Sequence, residues 1–238
     1  MCRRAVILAG GRGTRLRPYT VVLPKPLMPI GEYSILEIIL RQLVRFDFDR
    51  VTLAVNHQAN LIQAFCGDGS RWGLSIDYSL EEKPLSTIAP LKLIPDLPEN
   101  FLLMNGDVLA DLDFTDFYRQ HVEGGHLFTI AAAERRHIVD YGVLRVDETN
   151  RLTGFDEKPA VEYLVSMGIY MVHRSVLDCI PSGSKFGFDD LMLDMLTEQK
   201  RVRVQPHRGF WRDIGRPDDY LQAVDEFESI RPRLLGNG

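Results

Sequence analysis

Three groups of residues have the types and spacing to act on a phosphorylated ligand. The first is Gly10-Gly11-Arg12-Gly13-Thr14-Arg15, followed by Arg17 and Lys25. Glycines let a backbone approach an anion closely and adopt positive φ. Consecutive N–H groups in such a loop cradle phosphate oxygens. A triphosphate carries about four negative charges, so several cations beside such a nest make chemical sense. Two familiar loops are excluded: a dinucleotide fingerprint needs a glycine where Leu16 stands, and a P-loop needs Gly-Lys-Ser/Thr. A tight turn with solvated arginines is the plain alternative. Pro24 and Pro26 stiffen the backbone around Lys25 and would make its ammonium a fixed point charge, unless the stretch is only a proline-rich surface loop.

The second group is acidic. Asp107 follows the apolar run Phe101–Met104 and Asn105-Gly106. Ligands of open α/β sheets bind outside the carboxyl ends of strands. Mg²⁺ takes few protein ligands and shares phosphate oxygens, so an aspartate there suits it. A strand-end turn residue is the alternative. Asp213, in Trp211-Arg212-Asp213-Ile214-Gly215, is a second carboxylate that could meet the same metal. Asp111 and Asp113 read as turn and helix-cap residues. The third group is Glu157-Lys158-Pro159. A carboxylate suits sugar hydroxyls and an ammonium suits a phosphate, although an exposed turn pair is the commoner case. The six histidines have no evident partner and read as structural or surface residues.

The elements that must position these groups follow from periodicity. The continuous apolar run Ala5–Ala9 reads as a strand buried on both faces. Further strands are expected at 51–55, 74–78 and 101–104. Helices are expected near 35–46, behind the capping box Ser34…Glu37, and near 58–65 and 87–94. Alternating strands and helices mean β-α-β units and a mainly parallel sheet with helices on both faces. From about 126 the pattern changes to strand-like stretches at 126–133, 141–146, 152–156 and 163–171, with helices near 188–198 and 217–229. That half reads as mixed or antiparallel. No linker is visible, so 1–238 is expected to be one domain, with a nucleotide half to about 125 and a sugar-phosphate half after it. Residues 234–238 are expected to fray.

The chain has 238 residues, 45% hydrophobic, 26% charged, with a net charge of −5. That composition fits a folded globule. No basic stripe indicates nucleic acid, and no cationic amphipathic helix indicates a membrane surface. The run after Arg3-Arg4 is too short for a signal peptide and passes straight into the glycine loop. Cys2, Cys66 and Cys179 are sparse and unpaired in pattern, as in a reduced, cytoplasmic protein.

Leu8-Ala9-Gly10-Gly11-Arg12-Gly13-Thr14-Arg15-Leu16-Arg17-Pro18, then Pro24-Lys25-Pro26-Leu27, resembles in order and spacing the signature of the sugar-phosphate nucleotidyltransferases. The resemblance runs from about 4 to 228 and implies a Rossmann-like α/β/α sandwich. It implies condensation of a nucleoside triphosphate with a sugar 1-phosphate, with release of pyrophosphate. By that likeness the nucleotide would be held by Leu8, Ala9, Gly10, Gly11, Gly13, Thr14, Arg15, Lys25, Glu81, Ser86, Thr87 and Gly106. Arg15 and Lys25 would be catalytic, and Asp107 and Asp213 would hold Mg²⁺. The sugar phosphate would meet Asp107, Tyr141, Gly142, Glu157, Lys158, Ser166 and Gly168. The stretches Lys25–Ile30 and Leu85–Asp107 are similar to those of bacterial mannose- and heptose-phosphate guanylyltransferases, which points to GTP; dTTP, UTP and CTP stay open.

Several positions depart from the family pattern. Ser86 and Ala89 replace usual glycines in the base-recognition loop, Ser166 a common Asn, Glu32 a common Gly and Arg216 a common Thr. The chain stops where some relatives add a left-handed β-helix, so no such domain is expected. Two rival readings remain. One is a non-catalytic sugar-nucleotide sensor. The other is a glycosyltransferase using Asp111-Leu112-Asp113, which leaves the glycine loop unexplained. The oligomeric state is not written in the sequence, so a homo-oligomer stays open.

Overall fold

A computed structural model describes residues 3–236. In chain order the elements are β1 (Arg4–Leu8), β2 (Pro29–Ile30), β3 (Tyr33–Ser34), α1 (Ile35–Arg45), β4 (Arg50–Val55), α2 (Ala59–Cys66) and β5 (Ser75–Leu80). Then come β6 (Asn100–Asn105), β7 (Val108–Ala110), α3 (Phe114–Glu123), β8 (Phe128–Ile138), β9 (Val143–Val146), β10 (Leu152–Asp156) and β11 (Ala160–His173). The chain ends with α4 (Phe188–Thr197), β12 (Val202–His207), β13 (Trp211–Asp213) and α5 (Pro217–Leu235).

Seven strands form one sheet in the order β12-β8-β11-β6-β1-β4-β5. Every pairing is parallel except those of β11, which runs antiparallel to both β6 and β8. The expected mainly parallel sheet is therefore present, and the change of pattern after residue 126 comes from this one reversed strand and the antiparallel hairpin β9–β10. Strand alternation divides the core. Ala5 and Ile7 of β1 and Leu102 and Met104 of β6 pack with α1, α2, α3 and α5. Val6, Phe101 and Leu103 face α4 and the short turns at 89–93 and 174–179. Helices thus cover both faces, as a parallel sheet requires.

Local signals explain the elements that position the site. Ser34 caps α1, its hydroxyl accepting from the Glu37 N–H at 3.1 Å. Asp113 caps α3 in the same way, through the Asp116 N–H at 2.8 Å. The stretch near 87–94 departs from expectation, because only a 3-10 turn forms at Ala89–Leu93. Pro90 lacks the N–H that a longer helix would need there. α3 was not expected, although Phe114, Phe117, Tyr118, His121 and Val122 recur at helical spacing behind the Asp113 cap; β12, also not expected, is short and only weakly alternating. β12 lies at the sheet edge, where its Pro206 is tolerated.

Arg4 is buried despite its charge. It lies within β1 and is 2% exposed. Its guanidinium donates to Thr52 Oγ1 at 2.8 and 2.6 Å, to the carbonyls of Pro95 and Asp96, and to Asp77. Burial lowers its pKa, and the charge of Asp77 opposes that shift.

Cys66 is buried and unpaired, and Cys179 is unpaired; Cys2 lies outside the described residues. Among the described residues no helix is long and apolar enough to cross a membrane. Four of the histidines, His121, His126, His173 and His207, do have side-chain partners. His121 is fully buried beside Thr129 Oγ1 at 2.8 Å, and burial holds its pKa down at about 4. His207 meets Asp111 at 2.9 Å.

The expected fraying of 234–238 fails at its start. Leu234 is fully buried in the last turn of α5, while residues 237 and 238 lie outside the description. Leu234→Ala should cost about 2–5 kcal/mol. Leu196→Ala, at a 70% exposed position on α4, should stay within about 0.5 kcal/mol. Urea denaturation of the two variants would measure the contrast.

Candidate functional site

The order β6-β1-β4-β5 places a topological switch at β1, because the chain leaves it on one side for β4 and returns on the other as β6. Ligands of such sheets sit at the strand ends there. Backbone bonds align those ends: Ala9 N–H to Ala54 O at 2.8 Å, Gly106 N–H to Leu8 O at 2.9 Å, and Glu81 N–H to Val55 O at 2.9 Å. A cavity of about 320 Å³ opens above them, lined by Leu8, Gly10, Gly11, Asn56, Glu81, Pro84, Ser86, Thr87, Asn105 and Asp107.

The glycine loop leaves β1 and closes over this cavity. Gly13 has φ +58°, and a Cβ there would meet Thr20 Cγ2 at 2.9 Å. The Thr20 hydroxyl donates to the Gly13 carbonyl at 2.7 Å and holds the turn. Ala9, Gly13, Thr14 and Gly106 frame the cavity without lining it. Glu81 is 8% exposed. One of its oxygens accepts from the Leu85 N–H at 3.1 Å, and burial raises its pKa against that bond.

Two carboxylates meet because two short strands pair. β7 follows Asp107 directly and runs antiparallel to β13, with Val108 opposite Asp213. The Ile214 N–H donates to the Asp107 carbonyl at 3.0 Å. Asp107 forms an ion pair with Lys25, which is itself buried in a 3-10 turn between its prolines. The other carboxylate oxygen, Asp107 Oδ1, is buried with no hydrogen-bond partner. Packing around the Asp213 carboxylate, and then the charge of Asp107, raise its pKa; Lys25 and Arg15 oppose the rise. An orphaned carboxylate oxygen beside a second, repelled carboxylate suits a hard divalent cation that brings its own waters and shares ligand oxygens. Among the described residues no group of three or more metal-ligating side chains exists. Any cation held here would therefore rest on these two.

Arg15 and Asp213 line an adjoining cavity of about 260 Å³ with Arg135, Arg212, Gly215, Arg216 and Asp219. The other predicted residues form a separate cluster. Tyr141 is 78% exposed. Gly142 packs under Phe155, whose ring a Cβ would meet at 2.5 Å, and lies close to Glu157. Glu157 and Lys158 are exposed, and Lys158 has φ +45°. None of these four lines the strand-end cavity. Gly168 links the two regions. It has φ +72°, and a Cβ there would meet Asn105 Nδ2 at 2.6 Å. Its N–H donates to Ser166 Oγ at 3.3 Å, and Ser166 Oγ lies 3.0 Å from the Tyr170 hydroxyl.

The two glycine replacements differ in consequence. Ser86 takes φ +75°, a left-handed conformation that a glycine would adopt freely; for a residue with a Cβ it costs about 1–2 kcal/mol. Ala89 is buried at the start of its 3-10 turn with no such constraint. Thr87 Oγ1 accepts from the Phe188 N–H at 2.9 Å, tying this loop to the start of α4.

Asn56 escaped the sequence reading although it follows the apolar end of β4 just as Asp107 follows β6; its amide donates to the Glu81 carbonyl at 2.7 Å. Asn105 and Pro84 also line the cavity. The arginines around Arg15 gave no local signal, since they converge from three elements. The glycosyltransferase pair is engaged elsewhere: Asp113 caps α3, and Asp111 is held by Arg233 and His207.

The raised pKa of Asp213 has a stability consequence. The folded protein retains this proton more tightly than the unfolded chain does, so stability falls as pH rises from the ordinary aspartate value through the raised one. The penalty persists above that window. Asp213→Asn should therefore melt higher than the parent at pH 7 without divalent metal, and the difference should vanish below about pH 3.8. Thermal melts across pH would test this.

The nucleotidyl transferase family model matches residues 4–229. The UTP–glucose-1-phosphate uridylyltransferase of Synechocystis is 34% identical over 241 residues, covering 93% of this chain and 62% of its own length. The mannose-1-phosphate guanylyltransferase catalytic subunit beta of Drosophila melanogaster is 34% identical over 228 residues, with 93% and 62% covered. The Mycobacterium tuberculosis mannose-1-phosphate guanylyltransferase is 30% identical over 239 residues, with 96% and 66% covered. The chain thus spans less than two thirds of the length of these relatives. Among solved structures, HddC from Yersinia pseudotuberculosis, also crystallised with GMP-PN, shares the fold with a TM-score of 0.73 at 24% identity. The match covers 94% of this chain and 99% of that one.

Proposed function

This chain belongs to the nucleotidyl transferase family, and we propose that it joins GTP to a hexose or heptose 1-phosphate, giving a nucleoside diphosphate sugar and pyrophosphate. The observation that carries this reading is the cluster of Lys25, Asp107, Asp213 and Arg15 beside the glycine loop. Few other chemistries need two carboxylates and two cations under a phosphate-sized backbone nest.

The sugar phosphate oxygen attacks the α-phosphorus in line, and pyrophosphate leaves. That oxygen is already anionic at neutral pH, so no general base is required. Such transfers depend on positioning and charge neutralisation. The Gly10–Gly13 backbone would hold the triphosphate, with Arg15 and Lys25 neutralising it. Lys158 would hold the incoming phosphate and Glu157 the sugar hydroxyls, near Tyr141, Gly142, Ser166 and Gly168. Asp107 and Asp213 would hold Mg²⁺, which supplies Lewis-acid charge neutralisation at the phosphates. The unpaired Cys66 and Cys179 fit a reduced, cytoplasmic compartment, and the one family model over residues 4–229 fits a single nucleotidyltransferase domain.

Glu81 supports the choice of base. Guanine offers two adjacent donors, N1–H and N2–H, to one carboxylate, whereas uracil and thymine offer one donor flanked by carbonyl oxygens that a carboxylate repels. UTP is the second reading, favoured by the Synechocystis relative's activity.

Pyrophosphate release with Mg²⁺ across GTP, UTP, dTTP, CTP and ATP, each with a panel of sugar 1-phosphates, tests the proposal. GTP should turn over fastest. Arg15→Ala should lower kcat about 10²–10³-fold with only a small fall in melting temperature. Glu81→Gln should cut the preference for GTP over UTP about tenfold or more. Nucleotide binding without turnover across the panel would replace the enzyme with a sensor, and a UTP preference would replace guanine with uracil.

A further inference from the structure

Away from the strand ends, a concave surface of about 950 Å³ opens between α1, the turn at 70–72 and the end of α5. Four guanidiniums line it, from Arg41, Arg45, Arg71 and Arg231, against one carboxylate, Glu37. This concentration of positive charge stands out in a chain of net charge −5.

Aromatic rings hold all four, with the Arg45 guanidinium carbon 5.3 Å from the Phe46 centroid. The Arg71 guanidinium carbon lies 3.8 Å from the Trp72 ring centroid and 4.5 Å from that of Phe65. Those of Arg41 and Arg231 lie 4.7 and 5.6 Å from the centroid of Tyr33. A stacked guanidinium keeps its N–H edges available and loses little freedom when an anion arrives.

The charges do not cancel within the cavity. Glu37 accepts from Arg41 at 3.0 and 2.8 Å. Arg231 reaches Glu32 at 2.8 Å. Among the described residues, Arg45 donates to the carbonyls of Arg233 and Leu234 at the end of α5. Arg71 makes no ion pair with a carboxylate among the described residues. Among the described residues, the guanidiniums of Arg45 and Arg71 therefore have no carboxylate partner, and Arg45 is partly shared with helix-end carbonyls.

We propose that this cavity is a second ligand site, separate from the strand-end cavity, for a small anion carrying two or more phosphate groups. Guanidinium edges match phosphate oxygens bidentately, and the volume falls in the range of about 300–1,000 Å³ used for small ligands. The carboxylates of Glu32, Glu37 and Glu228 around Arg231 and Arg41 disfavour an extended polyanion such as RNA. The site does not depend on the reaction proposed above.

Trp72 reports on the cavity directly. In a Trp211→Phe background it is the remaining tryptophan of the two in the chain. Its emission would be titrated, without divalent metal and at constant ionic strength, with inorganic pyrophosphate and separately with fructose 1,6-bisphosphate. At least one probe should give a saturable change. Arg45→Gln and Arg71→Gln, each checked for an unchanged melt and read against its own ligand-free emission, should weaken it about tenfold. Arg45→Lys should recover part of the loss, and Arg15→Ala should leave the affinity unchanged. No saturable change with either probe up to about 10 mM, a response matched by sodium chloride, or a response lost in Arg15→Ala would each overturn the proposal.

Discussion

The site depends on one short antiparallel pairing, β7 with β13. Through it the Ile214 N–H meets the Asp107 carbonyl, and Asp213 comes to lie beside a residue more than a hundred positions earlier in the chain. Holding the Asp213 carboxylate there is unfavourable in the free protein, because burial first, and the charge of Asp107 second, raise its pKa. Lys25 and Arg15 offset part of that cost. What remains uncompensated, including the orphaned oxygen of Asp107, is what a divalent cation and a phosphorylated ligand would satisfy. Functional sites commonly hold such strain, which the rest of the fold must sustain.

The sheet provides that support. With β1 at its switch point and β4, β5 and β6 parallel around it, four strand ends deliver Gly10, Asn56, Glu81 and Asp107 to one cavity. The reversed strand β11 then lies beside β6. Its irregular register between Ser166 and Tyr170 brings Gly168 against Asn105. That contact joins the strand-end cavity to the part of the chain carrying Gly142, Glu157 and Lys158. A side chain at Gly168 would force the two apart.

Much of this was legible in the sequence because it is local. Ala5–Ala9 and Phe101–Met104 are continuous apolar runs and Val51–Val55 is broken only by Thr52, and buried parallel strands have that composition. Ser34 announced the helix start it caps, and Asp113 was read as a cap although the helix behind it was not expected. The glycine loop, Lys25 and Asp107 were visible from type and position. What stayed hidden was long-range. Burial of Arg4 depends on Thr52, Asp77 and the carbonyls at 95 and 96. The packing of Leu234 depends on where α5 docks. The arginines around Arg15 come from β8, β13 and the start of α5. Ser86 is a mixed case: its replacement of a glycine could be read, but its left-handed backbone needed coordinates.

Metal binding tests the account of this cluster most directly. Two carboxylates, one of them already paired with Lys25, should hold a divalent cation weakly alone and much better when a triphosphate supplies further oxygens. Titration of Mn²⁺ followed by electron paramagnetic resonance should show affinity rising at least about tenfold when GTP is present, beyond what GTP in solution binds. Asp107→Asn should abolish that gain. Equal affinity with and without nucleotide, or a gain that survives Asp107→Asn, would contradict the account.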